Sequence, residues 1–322
     1  MKFNLFSRIV FVALLAFVVN SFVYFSFGNI YSSKILNYNG FTQQFNSGIY
    51  QYRVLSGYFL IWIYETLSYL NIDYQIFKLK FFDHNSEPKM YLSFFILNTF
   101  FLILSAVMLT LITESKAFIA TQAEKILLTA VAVFVISFSQ FVIVPYDISG
   151  YFFLLVFYFF LMKYLEKSSN LNLIILAVTL LISTLNRESS ALSISVAATF
   201  LYSKYGSKKE TLFPLAVLGI AFAAIYFGMR IMNEKFSTND GNLLIQNFRE
   251  PKNILGLLFW AVFFVFTLVL AKDKKAVNHI LVFHLLSLPY IAMCFYTGII
   301  YEIRLYIPIF LISLAISRTE LT

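Results

Sequence analysis

VLSGYFLIWIYETLSYLNI, residues 54–72, is the stretch on which the reading of the whole chain turns. Its first half is apolar enough to enter a bilayer, while its second half carries Glu65 among further polar residues. If it crosses, every later loop changes sides. Around it the chain is a succession of apolar runs. Of 322 residues, 60% are hydrophobic and 12% charged, with a mean hydropathy of +0.79, whereas a soluble chain carries roughly 25% charged residues. That balance leaves no room for a water-soluble domain. Crossing the hydrocarbon takes about 20 apolar helical residues, fewer where the bilayer thins or neighbouring helices bury the segment. Ten runs qualify: 9–29, 90–112, 126–145, 149–164, 171–186, 189–204, 212–232, 254–271, 278–298 and 304–317. The 39 Phe and 21 Tyr suit lipid-facing helices and interfacial belts.

Lysine and arginine concentrate in short cytoplasmic loops, so the charges settle which way 54–72 is read. Lys116 with Lys125, Lys163 with Lys167, Lys204 with Lys208 and Lys209, and Lys272 with Lys274 and Lys275 fill four alternate loops, while the intervening short turns hold only Arg187 and Arg304. Lys2 and Arg8 put the N-terminus on the same side as those lysines. Both conditions are met only if 54–72 does not cross. The expected fold is an all-α integral membrane protein of about ten transmembrane helices with both termini cytoplasmic. A large first outer loop, about 30–89, carries 54–72 as an interfacial or re-entrant helix, with Tyr58, Trp62, Tyr64 and Tyr69 at headgroup depth. The expected site is the inner (plasma) membrane of a cell. Residues 9–29 resemble a secretory signal, but the run exceeds a normal h-region and no A-x-A-like site follows it, so it reads as a retained first helix. The chain reads as one domain, 1–322, with no linker or internal repeat.

Several function classes drop out. The formal charge of +8 is scattered singly between apolar runs and forms no basic stripe for nucleic acid. A lone cysteine, Cys294, builds neither a disulfide nor a thiolate site. His84, His279 and His284 are too dispersed for a metal, and His284 reads as a hydrogen bonder within its helix. There is no Walker loop, G-x-G-x-x-G or G-x-S-x-G. No cofactor is identified.

What remains is an asymmetry. On this topology the outer face gathers Tyr52-Arg53, Tyr146-Asp147, Asn186-Arg187-Glu188, Arg230 and Tyr301-Glu302-Ile303-Arg304, while the inner face holds lysines and ordinary loop acids. Ionisable groups cost about 2.5–3.5 kcal/mol each at a helix centre and persist mainly for function. The turns at 146–148 and 186–188 are tight, and a sixteen-residue helix reaches only about 24 Å against roughly 30 Å of hydrocarbon. A sunken, charged, outward-facing cavity is therefore expected. Arg53, Arg187, Arg230 and Arg304 present planar forks suited to phosphate, and Asp147, Glu188 and Glu302 are the candidate catalytic carboxylates. The plainer alternative is mutual pairing, Arg187 with a nearby acid and Glu302 with Arg304. Asp147 has no basic neighbour in sequence, which favours it as a base unless Arg187 lies beside it in space. Glu65 reads as part of a solvated face.

The ordered landmarks YRVL at 52–55, YD at 146–147, NRE at 186–188 and EIRL at 302–305 resemble the C-type glycosyltransferase superfamily of multi-spanning membrane proteins. The resemblance implies an enzyme that takes a sugar from a polyprenyl-phosphate carrier and transfers it to a glycan acceptor of the cell envelope. Membrane lipid, polyprenyl-phosphate-linked sugar and acceptor would be its partners. It also implies an acidic residue in the first outer loop. Residues 30–53 hold no Asp or Glu, only Asn37, Asn39 and Asn46, so Asp147 or Glu188 would have to stand in. Mapped here, Arg53, Arg187 and Arg304 would hold the carrier phosphate. An O-antigen or capsule repeat-unit polymerase, which leans on arginines more than on one carboxylate, is the competing enzyme reading. A lipid-linked-glycan transporter or a non-enzymatic assembly subunit are the others.

Overall fold

The computed structural model describes residues 4–26, 33–70, 72–77, 81, 83–233 and 241–320. Lys2 and part of the first loop lie outside them. The described residues are helical throughout, joined by 3-10 turns, with one isolated β-bridge between Phe118 and Thr319. The helices are α1 (Leu5–Ser26), α2 (Tyr38–Phe45), α3 (Val54–Tyr69), α4 (Pro88–Thr113), α5 (Gln122–Phe138), α6 (Asp147–Glu166), α7 (Asn170–Asn186), α8 (Leu192–Tyr205), α9 (Lys209–Ile231), α10 (Leu244–Arg249), α11 (Ile254–Leu270), α12 (Lys274–Leu286), α13 (Leu288–Thr297) and α14 (Ile307–Ser317). Among the described residues six spans, counting α5 on to Phe141 and α11 from Pro251, are long and apolar enough to cross a membrane. A seventh arises if the α12–α13 pair is one bent span, and α7 and α14 are shorter apolar helices.

Each apolar run expected from the sequence is a helix, with two corrections. The run at 278–298 is two helices bent by 49°. Ser287 separates them and Pro289 follows, a residue that lacks the amide needed to continue the helix from its preceding turn. The run at 149–164 is longer than expected. Asp147 is already the first helical residue of α6, and the helix continues to Glu166, so its 20 residues reach about 30 Å.

The two ends of the bundle carry different charges. At one end Arg8 and Lys125 meet Glu114 at 2.5 and 2.9 Å, and Arg318 meets Glu124 at 2.9 Å. Lys204 donates to the Leu165 carbonyl, and Lys272 pairs with Glu320. This is the lysine end. The Arg8 hydrogen bond, aided by Lys125, holds the Glu114 carboxyl down at about 2. A carboxyl depressed by folding contributes stability above its unfolded pKa, about 4.3, and that contribution is lost as pH falls through the folded value. Thermal stability in detergent is therefore expected to fall from about pH 4.3 down toward about 2, with Glu114→Gln flattening that dependence.

At the opposite end a buried polar layer joins α1, α4 and the turn after α5. Asn98 donates to Tyr24 Oη, Gln140 Oε1 and the Val144 carbonyl at 2.8, 3.0 and 3.2 Å, while Asn20 donates to Thr99 at 2.8 Å. In a lipid-embedded core such groups must find partners inside the protein. The layer also fixes a depth. Asn98 lies ten residues into α4, so the turn leading into α6 sits about 15 Å below the start of α4.

Residues 36–64 form a hairpin beside the upper part of α4. The Leu36 carbonyl accepts from the Glu87 amide at 2.6 Å, just before α4. The chain descends through α2 to Arg53, where Ser56 meets Ser149 at 2.7 Å. It then climbs back through α3 until Tyr64 donates to Glu87 at 2.5 Å. The two ends of the hairpin thus meet beside the start of α4, and Glu65 is exposed. Gly57 lets the hairpin close, because a Cβ there would stand 2.2 Å from the Phe45 ring. Asn37 caps α2 through the Gly40 amide and Asn46 donates to the Thr42 carbonyl, so these two asparagines serve the hairpin.

Candidate functional site

Seven charged side chains converge at the end opposite the lysines. Arg53 precedes α3, Asp147 opens α6, Arg187 and Glu188 follow α7, Arg230 lies in the last turn of α9, and Glu302 caps the 3-10 turn before α14 that contains Arg304. Helix ends explain part of the placement. Asp147 sits on the partially positive N-terminus of α6, whereas Arg187 and Arg230 sit at the partially negative C-termini of α7 and α9. Asn186, fully buried, ties three of these elements together. Its Nδ2 donates to the Tyr146 carbonyl at 3.0 Å, and its Oδ1 accepts from Ser56 and Ser149 at 2.5 and 3.1 Å. Tyr151 and Tyr290 hold the last turn by donating to the Arg304 and Leu305 carbonyls, each at 2.8 Å.

The charges form two linked groups. In the first, Asp147 binds Arg187 through Oδ1 and Arg304 through Oδ2, the latter at 2.8 Å. Arg304 also takes Glu302, its Nε at 2.8 Å from Oε2. In the second, Glu188 binds Arg53 Nε through Oε2 at 3.0 Å and Arg230 Nη2 through Oε1 at 3.3 Å. Both arginines of this group rest on tyrosines: Arg53 stands 5.2 and 4.7 Å from the Tyr50 and Tyr146 ring centres, Arg230 4.3 and 3.7 Å from those of Tyr52 and Tyr226. Burial pushes the Glu188 carboxyl up, but Arg53, with Arg230 and Arg187, outweighs it and holds the group below its ordinary range.

The plainer expectation of mutual pairing describes this arrangement well, because every one of the three carboxylates meets an arginine. The charged side chains expected to line an open cavity are instead packed against one another. Even the least buried, Glu188, is only 23% exposed, and Asp147 is 0% exposed. With both oxygens taken and no solvent contact, Asp147 is a counter-ion and a poor proton acceptor, which corrects its favoured place as a base. Glu302 is similarly held by Arg304. Glu188 is the carboxylate best placed for chemistry. Four guanidinium groups against three carboxylates leave one formal positive charge, so the cluster favours an anion. Among the described residues no group of three His, Cys, Asp or Glu side chains is placed to hold a metal.

The tyrosines were not read from the sequence as arginine supports. Tyr226 stands four residues before Arg230, the spacing of neighbours on one helix face, and Tyr50 and Tyr52 alternate before Arg53. No protein-family model, curated protein or solved structure matches the chain.

Proposed function

We propose that this chain is a membrane glycosyltransferase that binds a polyprenyl-phosphate-linked sugar at its arginine end and transfers the sugar to an envelope glycan or glycolipid. The observation that carries the reading is the convergence of four arginines from separate elements, with one positive charge in excess, at a level about 15 Å below the start of α4. A guanidinium bonds phosphate oxygens in bidentate fashion and stays charged at any working pH, and desolvation strengthens its hold. On the proposed topology α1, α4, α5, α6, α7, α8, α9, α11, the α12–α13 pair and α14 make ten crossings of the inner membrane, with the lysine end cytoplasmic.

In the transfer, the acceptor hydroxyl gives its proton to Glu188 while its oxygen bonds the anomeric carbon. The bond from that carbon to the carrier oxygen breaks, and the carrier phosphate leaves with the electron pair, stabilised by the arginines. The pairing of every carboxylate with arginine also favours a second reading, a repeat-unit polymerase acting on polyprenyl-pyrophosphate glycans with less demand on a base.

The test is binding of polyprenyl phosphate, polyprenyl-pyrophosphate glycan and uncharged polyprenol to the purified chain in nanodiscs. Phosphate-dependent binding that weakens about tenfold or more in Arg53→Ala supports the site, and preference for the pyrophosphate glycan favours the polymerase. Binding that ignores the phosphate, or persists unchanged in the variant, points instead to a transporter or an assembly subunit.

A further inference from the structure

We propose that the Glu188 carboxylate occupies the seat of a phosphate, and that a phosphate-bearing ligand binds by displacing it from Arg53 and Arg230. The inference rests on the phosphate-binding reading and locates the phosphate within the cluster. The two groups of charges are built differently. Asp147 is fully enclosed with an arginine on each oxygen, and exchange there would strand buried charge. Glu188 is the most exposed of the seven and holds each arginine by a single contact, at 3.0 and 3.3 Å, long for charge-assisted hydrogen bonds of about 2.7–2.9 Å.

Arg53 and Arg230 do not depend on Glu188 for their positions. Each guanidinium lies against two tyrosine rings, whose faces attract a cation. Arg230 also donates to the Tyr226 carbonyl at 3.0 Å. Removing the carboxylate leaves two arginines facing one spot. A polyprenyl-phosphate-linked sugar is a phosphodiester with one charge and two free oxygens, an equal match for Glu188, whereas the carrier monoester brings a charge of about −1.5 to −2 and three acceptor oxygens, so the monoester wins the exchange. Glu188 opens a 3-10 turn and can leave by side-chain rotation, ending beside the bound phosphate as an unpaired carboxylate.

The experiment titrates polyprenyl phosphate, inorganic phosphate and polyprenol into nanodisc-embedded wild type, Glu188→Gln and Glu188→Asp. With its competitor neutralised, Glu188→Gln is expected to bind polyprenyl phosphate about tenfold more tightly. Glu188→Asp, one methylene short of both arginines, is expected to bind more tightly to a smaller degree and guards against a folding defect in the first variant. A parallel gain for inorganic phosphate shows that the seat recognises the phosphate alone; a gain confined to the lipid shows that the chain is also needed. Either gain supports displacement. Equal or weaker binding by both variants, with wild-type binding intact, overturns displacement and leaves the arginine site standing. Absence of phosphate-dependent binding in all three overturns both.

Discussion

Asp147→Ala is expected to yield little or no folded protein. The substitution leaves Arg187, 6% exposed, and Arg304 facing an empty space where both had a carboxylate oxygen. Removing one partner of a buried ion pair costs about 3–5 kcal/mol, and here one carboxylate serves two arginines. Total stabilities of about 5–15 kcal/mol leave little after such a loss. Asp147→Asn keeps the shape and one acceptor and is expected to fall between. Size-exclusion profiles and thermal unfolding in detergent provide the readout. A double variant, Asp147→Asn with Arg187→Gln, removes charge from both sides and is expected to recover part of the loss, a coupling that independent sites do not show. A normally folded Asp147→Ala protein would mean that these ion pairs do not hold the end of the bundle together.

Gly256→Ala is expected to be the most damaging small substitution outside the charged cluster. A Cβ at Gly256 would lie 1.9 Å from the Ile300 carbonyl oxygen and 2.7 Å from its carbon. The obstacle is backbone, so α11 or the chain around Ile300 must move. Overpacking costs about 1–3 kcal/mol, and this contact belongs at or above the upper limit. Ile300 is two residues from Glu302 and four from Arg304, so the displacement is expected to weaken ligand binding along with thermal stability. Gly219→Ala is the control. Nothing stands within 4 Å of a Cβ there, and alanine favours the helix. A drop in melting temperature for Gly256→Ala alone confirms the close approach; equal behaviour of the two excludes it.

The helices were legible because apolar length and lysine placement are strong, local signals. The lysines led to residues 54–72 being read as a segment that does not cross, and the structure makes them part of a hairpin that descends from Leu36 and returns at Tyr64. The bend at Ser287 was not legible, since Pro289 lies in an unbroken apolar run and Pro214 lies inside α9 without ending it. Nor was the layer around Asn98, whose partners Tyr24 and Gln140 are 74 and 42 residues away. For the site, the members could be named but not their pairing. Asp147 seemed unaccompanied because its partners, Arg187 and Arg304, are 40 and 157 residues distant, and only packing brings them in.

Every residue of α14, from Ile307 to Ser317, is buried. It touches α5, α6, α8, α11 and α12, and its last residue, Ser317, and the following Arg318 are stitched to the loops before α12 and α5 through the Lys272 and Ile119 amides. A ribosome delivers the chain from its N-terminus, so this central rod emerges after the helices that surround it. Until then those helices must bracket a slot occupied by lipid. Packing of these helices therefore waits for an insertion into their middle, and a nascent chain stalled before Ile307 would carry the surrounding helices without the piece around which they close.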